Sequence, residues 1–223
     1  LDSNGEFLNA THSQRVLDLA ESEDVEFAAV DDLGKITVND AYFDLHIDEV
    51  LELDYVDVEA IKSCKFKVVV DGVNSTGGIA VPLLLERLGV EPIKLYCTPN
   101  GHFPHNPEPL KAHLTDLSEK VVQTGADFGI AVDPDVDRLA FMDEKGELFG
   151  EEYTLVACAD FVLSQNKGNT VSNLSSTRAL RDVTEKHGGT YTASAVGEVN
   201  VGNAMKANKA VIGGEGNGGV ILP

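Results

Sequence analysis

One run in this 223-residue chain demands a chemical explanation from its residue types and spacing alone: Asp133-Pro134-Asp135-Val136-Asp137-Arg138. Three carboxylates at i, i+2 and i+4 follow directly on the apolar run Phe128-Gly129-Ile130-Ala131-Val132. In a tight loop, alternate side chains can converge on one point, and converging carboxylates repel one another unless a cation lies between them. A hard divalent ion with oxygen ligands, Mg²⁺ first, meets that need, with Asp133, Asp135 and Asp137 as its ligands. Arg138 adds a cation beside the acids, suited to clamping a phosphate. A solvated acidic turn would explain one such Asp; three at this spacing behind a buried strand favour metal binding.

Two look-alikes share parts of this pattern. Asp133, Asp135, Asp137 and Glu144 match the spacing of a calcium EF-hand, but Arg138 stands where that loop requires Gly, and a strand rather than a helix precedes it. That reading is rejected. A strand ending in Asp-x-Asp also opens the site of haloacid-dehalogenase-like phosphatases, with Asp133 as nucleophile and Asp135 as general acid. No later acidic motif follows a strand here, so this stands as the enzymatic alternative. A non-catalytic metal-binding module is the other.

A second run, Gly213-Gly214-Glu215-Gly216-Asn217-Gly218-Gly219, also closes a strand. Its glycines allow close backbone approach and positive φ. Glu215 and Asn217, on alternate positions, offer an acceptor and a mixed donor–acceptor, a pair suited to vicinal sugar hydroxyls. The spacing is not that of a dinucleotide fingerprint. A third run, Asp71 to Gly78, either cradles a phosphate at a helix N-terminus or is a tight strand-to-helix turn; it lacks the GK[ST] ending of a P-loop. Ser175-Ser176-Thr177 reads as a helix cap rather than a nucleophile. The six His show no HxH or HExxH spacing and read as structural or exposed.

These loops need elements to hold them. Helical spacing is expected over 12–21 behind Thr11 as N-cap, over about 40–53 behind Asp40, and over 58–63 behind Asp57, with a short strand over 26–30. From Lys65 the pattern alternates. Strands are expected at 66–70, 90–96, 128–132, 139–142, 170–174, 190–193 and 210–212. Helices are expected at about 77–88, 110–124, 152–164, 177–187 and 199–207. The proline-rich segment 97–109 is an irregular connection. Short buried strands alternating with helices indicate an α/β fold of mostly parallel sheets covered by helices, in which ligands sit in loops at the carboxyl ends of strands.

Lys+Arg number 17 and Asp+Glu 37, a net charge of −20. That charge argues against nucleic acid or an anionic membrane as the main partner. No apolar run approaches the ~20 residues of a membrane helix, and no signal peptide opens the chain. Cys64, Cys97 and Cys158 are odd in number and form no CxxC pair, which suits buried thiols in a reducing cytoplasm rather than a disulfide framework. The chain opens at Leu1 and closes at Ile221-Leu222-Pro223 within an apolar run, so it reads as a piece of a longer protein.

On these residues the chain resembles the α-D-phosphohexomutases, which include phosphoglucomutase, phosphomannomutase and phosphoglucosamine mutase. Asp133–Arg138 is similar to the family's metal loop, usually DGDGDR, with Pro134 and Val136 in place of glycines. Gly214-Glu215-Gly216-Asn217-Gly218-Gly219 is similar to its sugar loop, more often GEESGH, with Gly216 in place of a second acid. Asp71-Gly72 with Asn74 and Gly77, and Ala195-Val196-Gly197-Glu198, follow weaker family patterns in order. The resemblance implies a mixed, mostly parallel α/β architecture in consecutive domains: 1–64 as the end of domain 1 and a connector, 65–165 as domain 2 with the metal loop, and 166–223 as part of domain 3 with the sugar loop. It implies Mg²⁺ as cofactor, a phosphorylated hexose as substrate, and further domains of the same chain as partners. Arg138 would touch the phosphate; Gly214, Glu215, Asn217 and, more weakly, Glu198 would bind substrate. The family's phosphoserine loop does not occur in these residues, which implies that the chain alone has no mutase turnover.

Overall fold

Val68, Val69 and Val70 are all fully buried, yet they face opposite ways. Val68 and Val70 pack with Leu85, Ile130 and Val132. Val69 packs with Leu117, Val121, Ala131 and Met142. A strand has two faces, and one covered by helices on both sides must be apolar on both. The computed structural model describes residues 1–3, 5–22 and 26–223, and in it the chain divides into two units, Leu1–Tyr42 and Phe43–Pro223.

In the first unit, α1 (Ala10–Glu21) is capped by Asn9, whose side chain accepts from the His12 N–H at 2.9 Å. The expected cap Thr11 lies inside the helix instead; Asn9, two residues earlier, satisfies the free N–H of His12. Residues 26–29 form no strand, and a 3₁₀ turn spans Val30–Asp32. A strand needs a neighbour for its backbone groups, and none pairs there among the described residues. Helix α2 (Tyr42–Leu51), which belongs to the second unit but for Tyr42, starts two residues beyond Asp40, after Asn39 Oδ1 accepts from the Ala41 N–H.

The second unit holds α3 (Val58–Cys64), capped by Asp57 as expected, and two sheets. The first contains β1 (Lys67–Asp71), β2 (Glu91–Leu95), β3 (Phe128–Val132) and β4 (Leu139–Met142) in the order β2-β1-β3-β4. Strand β1 is parallel to β2 and β3, and β4 runs antiparallel to β3. Helices α4 (Gly77–Arg87) and α5 (Thr115–Thr124) contribute to the cores on its opposite faces. The helix expected over 110–124 is broken: Lys111–His113 is a 3₁₀ turn, and Leu114, 2% exposed, is buried between it and α5.

The second sheet contains β5 (Asn169–Asn173), β6 (Tyr191–Ser194), β7 (Ala210–Gly214) and β8 (Val220–Ile221) in the order β6-β5-β7-β8. Its pairing repeats the first: β5 is parallel to β6 and β7, and β8 is antiparallel to β7. Helix α6 (Glu151–Gln165) packs through Leu155, Ala159 and Val162 on Leu180 of α7 (Ala179–Lys186) and Ile212. Val201 and Met205 of α8 (Glu198–Asn208) pack on Val171 on the other face. The mixed, mostly parallel sheets flanked by helices are those read from the sequence. No helix among the described residues is long and apolar enough to cross a membrane.

Candidate metal and sugar site

Each sheet has the same hairpin at the same place, the turn from its inner parallel strand to its antiparallel edge strand. In the first sheet that turn is Asp133–Arg138; in the second it is Glu215–Gly219.

In the first turn, Asp133 is 5% exposed. Its Oδ1 accepts from the backbone N–H groups of Asp137 and Arg138, each at 3.1 Å, and its backbone carbonyl accepts from the Val136 N–H at 3.2 Å. These bonds coil the chain so that alternate side chains converge. Ser75 Oγ donates to the Pro134 carbonyl at 2.8 Å and ties the turn to the loop after β1. One carboxylate oxygen from each of Asp133, Asp135 and Asp137 lies within 4.8 Å of the others, with Asp135 and Asp137 exposed. Burial, then the nearby Asp137 and Asp135 carboxylates, push the Asp133 carboxyl up to about 6, against the N–H of Arg138, which lowers it. A cluster of hard oxygens that resists carrying its full charge alone fits a small divalent cation. Val136 sits at φ +66°, a left-handed conformation strained for a β-branched residue; glycine would adopt it freely.

Arg138 reaches back over its own loop. Its Nε is 3.8 Å from Asp133 Oδ2 and 3.9 Å from Asp137 Oδ1, and Nη1 is 3.5 Å from Glu108 Oε1. The buried Nε has no hydrogen-bond partner. Glu108 belongs to the proline-rich connection, which sequence reading treated as irregular chain. That connection is also anchored by His105, whose Nε2 lies 3.0 Å from Oδ2 of the buried Asp71 and whose Nδ1 lies 2.7 Å from the Asn106 carbonyl. Asp71 Oδ1 accepts from the Val73 N–H at 3.0 Å. Burial pushes the Asp71 carboxyl up, offset by the Val73 N–H and by His105.

In the second turn, the Glu215 N–H donates to the Gly219 carbonyl at 3.0 Å and the Gly219 N–H donates to Asn217 Oδ1 at 3.1 Å. A Cβ on Gly214 would fall 2.1 Å from the Gly219 carbonyl oxygen, so that buried position admits only glycine. Gly214 thus shapes the turn. Glu215 Oε1 accepts from Asn173 Nδ2 at 2.6 Å and from the Gly197 N–H at 2.9 Å.

The two turns meet. A cavity of 180 Å³ is lined by Val136 and Asp137 from the first sheet, by Glu198, Glu215, Asn217 and Gly219 from the second, and by Val220 and Ile221. Glu198 opens α8 at the cavity rim; partial burial, then the Asp137 and Glu215 charges, push its carboxyl up. The structure places Asp137, Glu198, Glu215 and Asn217 around one cavity; Asp133, Asp135 and Arg138 lie beside Asp137 outside its lining, and Gly214 shapes the second turn. Of Ser175-Ser176-Thr177, the two serines do not cap α7, their hydroxyls donating to Asn173 Oδ1 at 3.0 and 2.7 Å, while Thr177 Oγ1 accepts from the Ala179 N–H at the start of the helix at 3.4 Å. Asn173 and Glu108 escaped sequence reading because each acts across a long gap in the chain.

Comparison with known proteins agrees with this arrangement. Residues 44–146 match the family description "Phosphoglucomutase/phosphomannomutase, alpha/beta/alpha domain II", and residues 150–223 match the corresponding domain III. The second match begins just before α6 and takes it in. The whole chain is 37% identical to a phosphoglucomutase/phosphomannomutase of Thermococcus kodakarensis, covering 49% of it. Over 70% of its length it is 38% identical to a phosphoglucosamine mutase of Nitratidesulfovibrio vulgaris, covering 35% of that protein. The crystal structure of a phosphoglucomutase/phosphomannomutase family protein from Burkholderia thailandensis superposes with a TM-score of 0.76 at 26% identity, over 96% of this chain and 45% of that one. The chain thus spans half or less of the length of these relatives. With two consecutive domains matched in order and more than a third of its residues shared with a relative along its full length, the chain belongs to the phosphoglucomutase/phosphomannomutase family of α-D-phosphohexomutases.

Proposed function

We propose that this chain supplies the metal-holding and sugar-holding walls of a Mg²⁺-dependent phosphohexomutase, which moves a phosphoryl group between O1 and O6 of a hexose through a phosphoserine and a bisphosphorylated intermediate. The observation that carries the reading is the shared cavity, with Asp137 on one wall and Glu198, Glu215 and Asn217 on the other. Asp133, Asp135 and Asp137 would hold the ion. When bound, it supplies charge neutralisation at a transferring phosphoryl group. Arg138 extends the positive field on the same side and would hold phosphate oxygens. Glu215 and Asn217 would accept from and donate to ring hydroxyls, so the sugar can be gripped in either orientation while its phosphate faces the acids. Catalysis in this scheme is positioning and charge stabilisation, with the nucleophilic serine supplied by another domain of the parent protein.

The test is an assay of the parent protein for interconversion of hexose 1-phosphate and hexose 6-phosphate, with and without Mg²⁺, alongside the isolated chain. Turnover by the parent that needs the ion, and none by the chain alone, is the expected result. Ion-independent turnover, or isomerisation by the isolated chain, would refute the scheme. The phosphatase alternative predicts hydrolysis of a generic phosphomonoester by the chain, lost in Asp133→Asn.

A further inference from the structure

We infer that Asn173 is a positioning residue for Glu215, deciding which of its carboxylate oxygens is offered to a sugar hydroxyl; this rests on the reading of Glu215 as a sugar-binding group. Asn173 closes β5 and is 3% exposed. Its Nδ2 donates to Glu215 Oε1 at 2.6 Å. Its Oδ1 accepts from the Ser175 and Ser176 hydroxyls at 3.0 and 2.7 Å.

The chemistry fixes this orientation. A carboxylate only accepts, so the amide must turn its NH₂ towards Glu215; its oxygen then faces two hydroxyls that can donate. The Gly197 N–H gives Oε1 a second donor at 2.9 Å. Oε1 is thereby engaged twice, whereas Oε2 receives one long contact, from Asn217 Nδ2 at 3.4 Å. The carboxylate is locked in rotation with Oε2 available, and a group fixed before binding loses less freedom when the ligand arrives. Asn173 touches no ligand in this scheme. It acts through Glu215.

The experiment uses the full-length protein that carries this chain and the variants Asn173→Asp and Asn173→Ala. Asn173→Asp keeps the shape and the acceptor for both serines, and replaces the donor facing Glu215 by a second carboxylate. Two carboxylates so close share a proton once the pH falls, which restores a donor between them. The KM for hexose 1-phosphate is expected to rise about tenfold in Asn173→Asp near neutral pH, with kcat changing less. The ratio of this KM to that of the unsubstituted protein should return towards one as the pH is lowered to about 5.5, with no such recovery in Asn173→Ala. A purely structural role would lower both variants alike at every pH, and that result would overturn the inference.

Carboxyl ¹³C NMR of Glu215 gives a readout independent of any sugar. In Asn173→Asp, Glu215 is expected to titrate at higher pH than in the unsubstituted protein; an unshifted titration overturns the inference. If the unsubstituted protein neither binds nor turns over hexose phosphates, the sugar reading of Glu215 fails, and the NMR titration decides the positioning claim alone. If circular dichroism shows Asn173→Asp unfolded, the double variant Ser175→Ala/Ser176→Ala removes both hydrogen bonds to the amide oxygen and leaves Asn173 held by Glu215 alone. Its KM should rise about threefold, and an unchanged KM with an unchanged Glu215 titration counts against the inference.

Discussion

Gly218 presses on the backbone of Leu139: a Cβ at Gly218 would lie 2.1 Å from the Leu139 carbonyl oxygen. Leu139 is the first residue of β4, directly after Arg138, so this is where the glycine-rich turn of the second sheet seats on the acidic turn of the first. The contact sets the distance between the acids and Glu215.

Gly218→Ala tests that seating. The residue sits at φ +95° with no room for a side chain, so both the conformation and the clash penalise alanine. The expected loss is about 2–4 kcal/mol of unfolding free energy, read by chemical denaturation. A loss below about 0.5 kcal/mol would show that the two turns adjust freely.

Asp133→Asn separates metal binding from folding. Because the Asp133 carboxyl is pushed up to about 6 in the fold from an ordinary 3.8, its stabilising contribution is fully present below about pH 4 and lost as the pH rises through about 6. Without divalent ions, the asparagine variant should therefore melt at a higher temperature than the unsubstituted chain at pH 7, with no gain near pH 3.5. Mg²⁺ should raise the melting temperature of the unsubstituted chain at pH 7, by less as the pH falls to 5, and leave the variant unmoved. A variant that still responds to Mg²⁺ would place the ion elsewhere.

His105→Ala strips the buried Asp71 of its partner across the chain. Leaving a buried carboxylate with one donor fewer is expected to destabilise by about 1–3 kcal/mol at pH 7. Asp71 already has its carboxyl pushed up by burial, so protonation relieves the defect, and the loss should shrink at pH 4. Hydrogen exchange should speed up in residues 97–109, which His105 anchors. Equal losses at both pH values would argue that the ring serves only as packing.

Glu198→Gln removes one of the negative charges that face one another across the cavity. The Glu198 carboxyl is pushed up by partial burial, then by Asp137 and Glu215, so its ionisation opposes folding. The variant is expected to melt higher at pH 7 and unchanged near pH 3.5, where the native group is already protonated. Calorimetry at the two pH values decides it.

Much of this was legible in the residues. Val68–Val70 and Ile130–Val132 announce strands buried on both faces, and the acids at 133, 135 and 137 announce a turn that must manage charge. What stayed hidden lies far apart in sequence. Glu108, in the irregular connection, meets Arg138 across α5 and β3, and Asn173 meets Glu215 across two helices and two strands. Periodicity reports which face of an element is covered and says nothing of which loop tips touch. Ser175 and Ser176 misled because a hydroxyl ahead of a helix is usually its cap; here a buried amide one strand-end away competes for both. The strand expected at 26–30 failed for the converse reason, since local composition cannot supply the neighbour a strand requires.

The matching strand order of the two sheets has an evolutionary reading. A doubled scaffold offers two tips built on one plan, and each can drift under its own selection. A change in the composition of one tip need not alter the strand order that carries the other, so a single architecture can present two loops of different chemistry.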